Sequence, residues 1–265
     1  MSRSNPIESA QNPAVRWFQW EGGEDGGYVS YYEKAAEEGQ KGRNVRVDNF
    51  QFILLDRLGT VKGWHDNSDS AIYANEIRDS KQEVLIVKSF KGGVLAEGLY
   101  ANIKDRVNAM GGGYAASLYV AAKVDNKLQI ANLVIKGIAL NAWVDFERQC
   151  PTKQVDGKSV KAIWVDAIKV TGYEDGKKGR VAYRKPIFGL GPLSDESDAA
   201  AIELDKLLQP YIKAYLARNK VEAAQPQGHA PEPAYTSAAP QQVRQRDEPP
   251  PPSREEEFDD SEIAF

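Results

Sequence analysis

The order of apolar and polar positions divides the chain into a patterned body and an unpatterned end. Val45, Arg46 and Val47 alternate as in a strand with one wet face, and residues 50–55 form a short apolar run suited to a strand buried on both faces. Further strands are predicted over 71–78 and 84–90, and Lys91-Gly92-Gly93 turns the chain into another over 94–100. Residues 101–110 carry Ile103, Arg106 and Val107 at helical spacing and predict a helix that stops at Gly111-Gly112-Gly113. Strands over 114–124 and 128–136 make a second hairpin around Asp125-Asn126-Lys127, and 138–146 predicts a short helix. A third hairpin joins 162–171 to 180–188 through a turn at 174–179. The body closes on a helix after Ser194, an N-cap followed by Asp195 and Glu196 in the first turn. Leu204, Leu207, Leu208, Tyr211, Ile212 and Tyr215 are expected on its buried face. Pro210 is expected to kink or split it, because proline lacks the N–H and crowds the preceding turn.

Short strands joined by hairpins, with helices between them, predict a mainly β fold with added helices. The barrel best suited to a nucleic-acid groove is OB-fold-like, with antiparallel strands; a generic α+β domain fits the periodicity equally well. From Glu222 to Arg254 the pattern is lost: the sequence is Ala, Gln, Pro and Glu, with a proline run at 249–252. Such a segment cannot bury enough surface to offset its ordering entropy and is expected to be a disordered linker. Three parts follow: a body over 1–221, a Pro/Gln-rich linker over 222–254, and an acidic tip over 255–265.

Charge sharpens this division. The whole chain of 265 residues carries a net −4, but residues 1–222 hold 31 Lys and Arg against 29 Asp and Glu, whereas residues 223–265 hold 3 Arg against 9 acids. A slightly basic body is thus joined to an acidic tail, and the acidity of the whole does not exclude a positive groove. A single cysteine, Cys150, excludes an internal disulfide framework. No apolar run is long enough to span a membrane, and the first residues do not read as a signal peptide, so a cytoplasmic location is expected, in a bacterium or a phage-infected host.

Catalytic and cofactor signals are weak, and neither an enzyme nor a cofactor is expected. Gly157-Lys158-Ser159 resembles the end of a phosphate loop, but Thr152 stands where the pattern needs glycine, and neither a leading strand nor a following helix is predicted. Gly189-Leu190-Gly191 has no third glycine at Ser194. Cys150, His65 and His229 are too few soft ligands for a zinc site, and no metal is expected.

Aromatic residues say more, since single strands are bound by stacking bases on rings within a basic groove. Trp17 begins a group continued by Tyr28 and Tyr31, and Trp64 and Tyr73 lie in polar surroundings. The third hairpin places Tyr173, Lys177, Lys178, Arg180, Tyr183, Arg184 and Lys185 together, with Val181, Tyr183, Lys185 and Ile187 on one face and Arg184 with Phe188 on the other. Lys88, Phe90 and Lys91 form a smaller version. These are the candidate DNA-binding residues. Most other rings belong to the core, Trp143 among them.

The tip reads differently from a solubilising tail, because it carries Ile263 and Phe265 behind acids. Such a segment suits a partner pocket with an apolar floor and a basic rim, and its acids can also occupy the protein's own basic groove. Phe258, Asp259, Asp260, Glu262, Ile263 and Phe265 are its candidate partner-binding residues. A body, a Pro/Gln-rich linker and an acidic tip ending in Phe resemble the plan of bacterial and phage single-stranded DNA-binding proteins. The bacterial form ends Asp-Asp-Asp-Ile-Pro-Phe; here the acids, the Ile and the Phe are kept, with Ala264 in place of proline. Asn12-Pro13-Ala14-Val15-Arg16-Trp17-Phe18, residues 50–63 and Gly98-Leu99-Tyr100-Ala101-Asn102-Ile103-Lys104 are similar to a phage and prophage family with an OB-fold and this role.

The resemblance implies sequence-independent binding of single-stranded DNA in replication, recombination and repair, with replication and recombination proteins recruited through the tip. Homo-oligomers are compatible with it. Two rivals stand beside it: a phage structural or assembly protein with an acidic docking tail, and a DNA-acting enzyme.

Overall fold

The computed structural model describes residues 11–34 and 42–224, with side chains to Asn219. The fold is mainly β, with three α-helices among the described residues. Its strands are β1 (Arg16–Glu21), β2 (Tyr28–Glu33), β3 (Arg43–Val47), β4 (Gln51–His65), β5 (Ser70–Ala74), β6 (Leu85–Ser89), β7 (Gly93–Gly98), β8 (Gly112–Val124), β9 (Lys127–Lys136), β10 (Thr152–Val155), β11 (Lys158–Lys161), β12 (Ala167–Lys178) and β13 (Val181–Gly191). The helices are α1 (Tyr100–Ala109), α2 (Gly137–Gln149) and α3 (Asp195–Ala224).

One large sheet runs in the order β3-β2-β1-β9-β8-β4-β5-β6-β7. It is mixed, because β1 runs parallel to β9 while the other pairs are antiparallel. β4 is long enough to serve two neighbours on one edge: β12 at residues 51–53 and β5 at residues 62–65. Among the described residues β13 pairs with β12 alone. The sheet does not close into the expected barrel: β13 meets the β1–β2 turn through single bonds, Arg184 N–H to the Gly22 carbonyl (2.7 Å) and Trp20 Nε1–H to the Arg184 carbonyl (2.9 Å). A ladder is absent there among the described residues.

Both faces of the sheet are covered in part. On the back, α1 and α2 bury Phe18, Phe52, Leu118, Leu133 and Trp143 in the larger core. On the front, α3 crosses β9 and β4 and buries Leu208, Tyr211 and Ile212 against Ile53, Leu58, Tyr119 and Ile130. A bulge in β4 between Leu54 and Asp56 resets the register, and Asp56 then pairs with Tyr119 and Leu58 with Ser117. Asp56 is buried and held bidentately by Arg78 (both 2.9 Å), with Gln209 of α3 at 3.1 Å.

Several expectations change. β4 continues to His65 instead of ending at residue 55, because Gly59 and Gly63 interrupt the apolar run yet serve close packing: a Cβ on Gly63 would stand 2.1 Å from the Gly111 carbonyl oxygen. The strand expected over 71–78 ends at Ala74, and the following loop returns to β4 through the Gly59–Ile77 bridge. The charged stretch 174–178 is strand, and the turn moves to Gly179 (φ 60°) and Arg180. Gly157-Lys158-Ser159 lies in a two-stranded hairpin whose turn is Asp156 (φ 50°) and Gly157 (φ 75°), so a strand leads in and a second strand follows. α3 is one uninterrupted helix, because Pro210 lies on its exposed side, where water can satisfy the carbonyl of Lys206. Leu207 is 66% exposed and leaves the buried stripe.

Candidate nucleic-acid interface

Beyond the edge of α3, the front face of β4, β5 and β6 exposes Trp64 and Phe90, whereas Lys62, Tyr73 and Lys88 are half-buried and Ile86 is buried. Register places Lys62 beside Tyr73 and Tyr73 beside Lys88, so a ring stands between two ammonium groups in one row. The Phe90 ring packs on Tyr73 with centroids 4.7 Å apart and planes at 34°, and 73% of Phe90 is exposed. Trp64, two positions along β4 from Lys62, is 51% exposed. Lys91 Nζ donates to the Asp69 carbonyl (3.0 Å) and Asp69 Oδ2 is 3.9 Å away. Five of the candidate residues, Trp64, Tyr73, Lys88, Phe90 and Lys91, are thus brought to one end of one face.

The last described turns of α3 add what the sequence reading left out. A cleft of about 280 Å³ between this helix and β5–β6 is lined by Tyr73, Asn75, Ile86, Lys88, Tyr215 and Arg218, among others. The helix is clipped in place at Glu76: its backbone N–H donates to Tyr215 Oη (2.9 Å), and Asn219 Nδ2 donates to its carbonyl (3.2 Å). The Glu76 carboxylate accepts from Ser117 Oγ and from Tyr119 Oη (2.8 Å). Burial raises its pKa above the usual carboxylate value, opposed by those hydroxyls and by the Lys62 charge. Burial lowers Lys62, and the same Glu76 opposes it. Tyr119, Tyr211 and Tyr215 are all raised, in each case first by burial. Arg218 is exposed over the cleft and Lys88 is half-buried in its wall, with Glu97 of β7 paired to the cleft residue Ile86. The signal for Lys62 was present in the sequence, since it shares a strand face with Trp64; Arg218 had none.

The third hairpin divides its candidates. Tyr183 and Lys185 share one face with Lys178, whereas Tyr173 and Arg184 share the other with Lys177, in agreement with the alternation in β13. Arg184 lies over the Tyr173 ring (4.6 Å), donates to the Gly26 carbonyl (2.6 Å) and pairs with Asp175 (3.2 Å). It clamps the β1–β2 turn, and Gly27 (φ 87°) makes this approach possible, because a Cβ there would stand 2.5 Å from the Tyr173 ring. Lys185 pairs with Asp145 (3.6 Å), and Tyr183 covers Gly176. Lys177 and Arg180 are exposed at the ribbon tip.

The first aromatic group is also divided. Tyr31 packs edge-on against buried Phe18 with Arg16 over it, and Arg46 covers Tyr28. Trp17 is exposed on the front of β1. Phe258, Asp259, Asp260, Glu262, Ile263 and Phe265, and with them His229, lie outside the described residues.

Among the described residues, no group of three or more His, Cys, Asp and Glu is arranged to hold a metal ion. Cys150 is buried, and His65 Nδ1 is bonded to Ser68 Oγ (2.7 Å). Also among the described residues, no helix is long and apolar enough to cross a membrane. Comparisons with protein-family models, with curated proteins and with solved structures give no match for this chain.

Proposed function

We propose that this protein binds single-stranded DNA without sequence preference, and that the front of β4, β5 and β6 is where it does so. The observation that carries the reading is the exposed Phe90 ring packed on Tyr73, with Lys62 and Lys88 in the adjoining row and Arg218 across the cleft. Rings with a free face suit bases of any identity, and flanking cations suit the phosphates between them. The ribbon tip, with Lys177 and Arg180, lies past the opposite end of β4, where β12 leaves the strand at Gln51, and is a separate cationic patch. A partly open OB-like barrel belongs to the same reading; the approach of β13 to Gly22 supports it. In this reading the protein coats single strands during replication, recombination or repair in a bacterial or phage-infected cell. The acidic tip recruits partner proteins.

A titration of oligo(dT) followed by tryptophan fluorescence, with a mobility shift beside it, tests this. Saturable binding without added metal is expected. With about three phosphates neutralised, affinity should fall roughly tenfold to twentyfold between 50 and 200 mM salt. Phe90→Ala should weaken binding by about 1–3 kcal/mol. Binding that is absent in both assays, or indifferent to salt, would sink the proposal.

A further inference from the structure

Trp64 of β4 and Ala71 of β5 are direct partners across the ladder. Phe90 continues the row, because its N–H donates to the Ala71 carbonyl (3.3 Å), one position beyond the paired Ile72 and Ser89. Alternation puts all three on the front face, with Lys62, Tyr73 and Lys88 in the next row. Two large exposed rings therefore flank a single methyl group. Neighbouring strands lie about 4.8 Å apart, so the two ring-bearing backbones stand about 9.5 Å apart. A planar ring in contact on both sides occupies about 7–8 Å. Phe90 packs on Tyr73, two residues along β5 from Ala71, which leaves its other face uncovered by that ring.

The back of these same strand ends is pinned. Ser68 Oγ is bonded to His65 Nδ1 (2.7 Å), Ser70 Oγ (2.9 Å) and Ser89 Oγ (3.2 Å). Gly92 N–H donates to Ser89 Oγ (2.8 Å) and Lys91 N–H to Ser70 Oγ (3.2 Å). A Cβ on Gly92 would stand 2.4 Å from Ser89 Oγ, so the turn carrying Phe90 sits directly on this network. The spacing of the two backbones that carry the rings is held by the protein alone, which lowers the ordering cost of filling the gap.

We propose that Trp64, Ala71 and Phe90 form a slot for one unpaired nucleobase, sandwiched between the two rings over the Ala71 methyl, with its phosphate toward Lys62 and Lys88. This rests on the single-strand reading above and specifies where in that surface a base is held. Ala71 then sets the slot by its size, since a larger side chain takes the place of the base.

The test uses the full chain and an oligo(dT) strand with one 2-aminopurine, whose emission falls on stacking. Wild type should bind it and reduce its emission. Ala71→Leu should keep the wild-type melting temperature, bind about 5- to 100-fold more weakly, and leave the emission higher at saturation. Trp64→Ala, which removes a half-exposed ring, should act in the same direction and decides the matter if Ala71→Leu fails to fold. Wild-type affinity and emission in the folded variants, with wild type binding well, would overturn the slot and leave the single-strand reading standing. A wild type that binds no oligonucleotide would end both.

Discussion

Glu76 joins the sheet to α3 with its backbone and its side chain together: N–H to Tyr215, carbonyl from Asn219, carboxylate from Ser117 and Tyr119. A buried carboxylate that is only partly compensated binds its proton more tightly folded than unfolded, and its pKa is raised from 4.5. Between those two pKa values unfolding releases a proton, so this group makes stability fall as pH rises from about 4.5 through the raised value, and level off above it. Glu76→Gln should remove that part of the slope. Denaturant melts of both proteins from pH 4 to 8 check it: the stability difference should shift in favour of the variant as pH rises, and a difference constant in pH would refute it. The raised tyrosines Tyr119, Tyr211 and Tyr215 have the same sign on the alkaline side, whereas lowered Lys62 opposes them there.

At the scale of elements, α3 shows how the exposed and buried positions of a helix separate in energy. Leu208 is fully buried against the sheet, and its neighbour Leu207 is 66% exposed. Leu208→Ala should cost about 2–5 kcal/mol, from lost transfer free energy and an unfilled cavity. Leu207→Ala should stay within about 0.5 kcal/mol. Urea unfolding of the two variants gives both numbers, and similar losses would show that α3 does not dock through Leu208. The helix was legible from its N-cap and apolar spacing, and so were α1, α2 and the β8–β9 hairpin, because each pairs a clear period with a turn signal. β1 and β2 were hidden because their aromatic and polar residues alternate without a simple apolar face. The ribbon was misjudged because Glu174 to Lys178 extend beyond the pairing with β4, where the chain is mostly wet and charge imitates a turn. Trp64, Tyr73, Lys88, Phe90 and Lys91 were legible by residue type, but their convergence with Arg218 depends on where α3 ends on the sheet, which no local pattern encodes.

At the scale of the whole molecule, the front platform and the tip make opposite electrostatic demands. Residues 255–265 hold six acids and no Lys or Arg, so removing them takes the formal net charge from −4 to +2. In the proposed reading a DNA strand and the tip, both anionic, compete for the cations of the body. Truncation at residue 254 should therefore leave affinity for oligo(dT) unchanged or raise it, and should abolish capture of replication and recombination partners. The gain should be largest at low salt and shrink as ionic strength rises, since screening weakens the tip's repulsion of the strand. Binding isotherms of full-length and truncated protein at 50 and 300 mM salt, with partner pull-downs alongside, separate the two roles. Loss of oligonucleotide binding on truncation would place the DNA site in the tip itself, and the division of labour between body and tip would have to be abandoned.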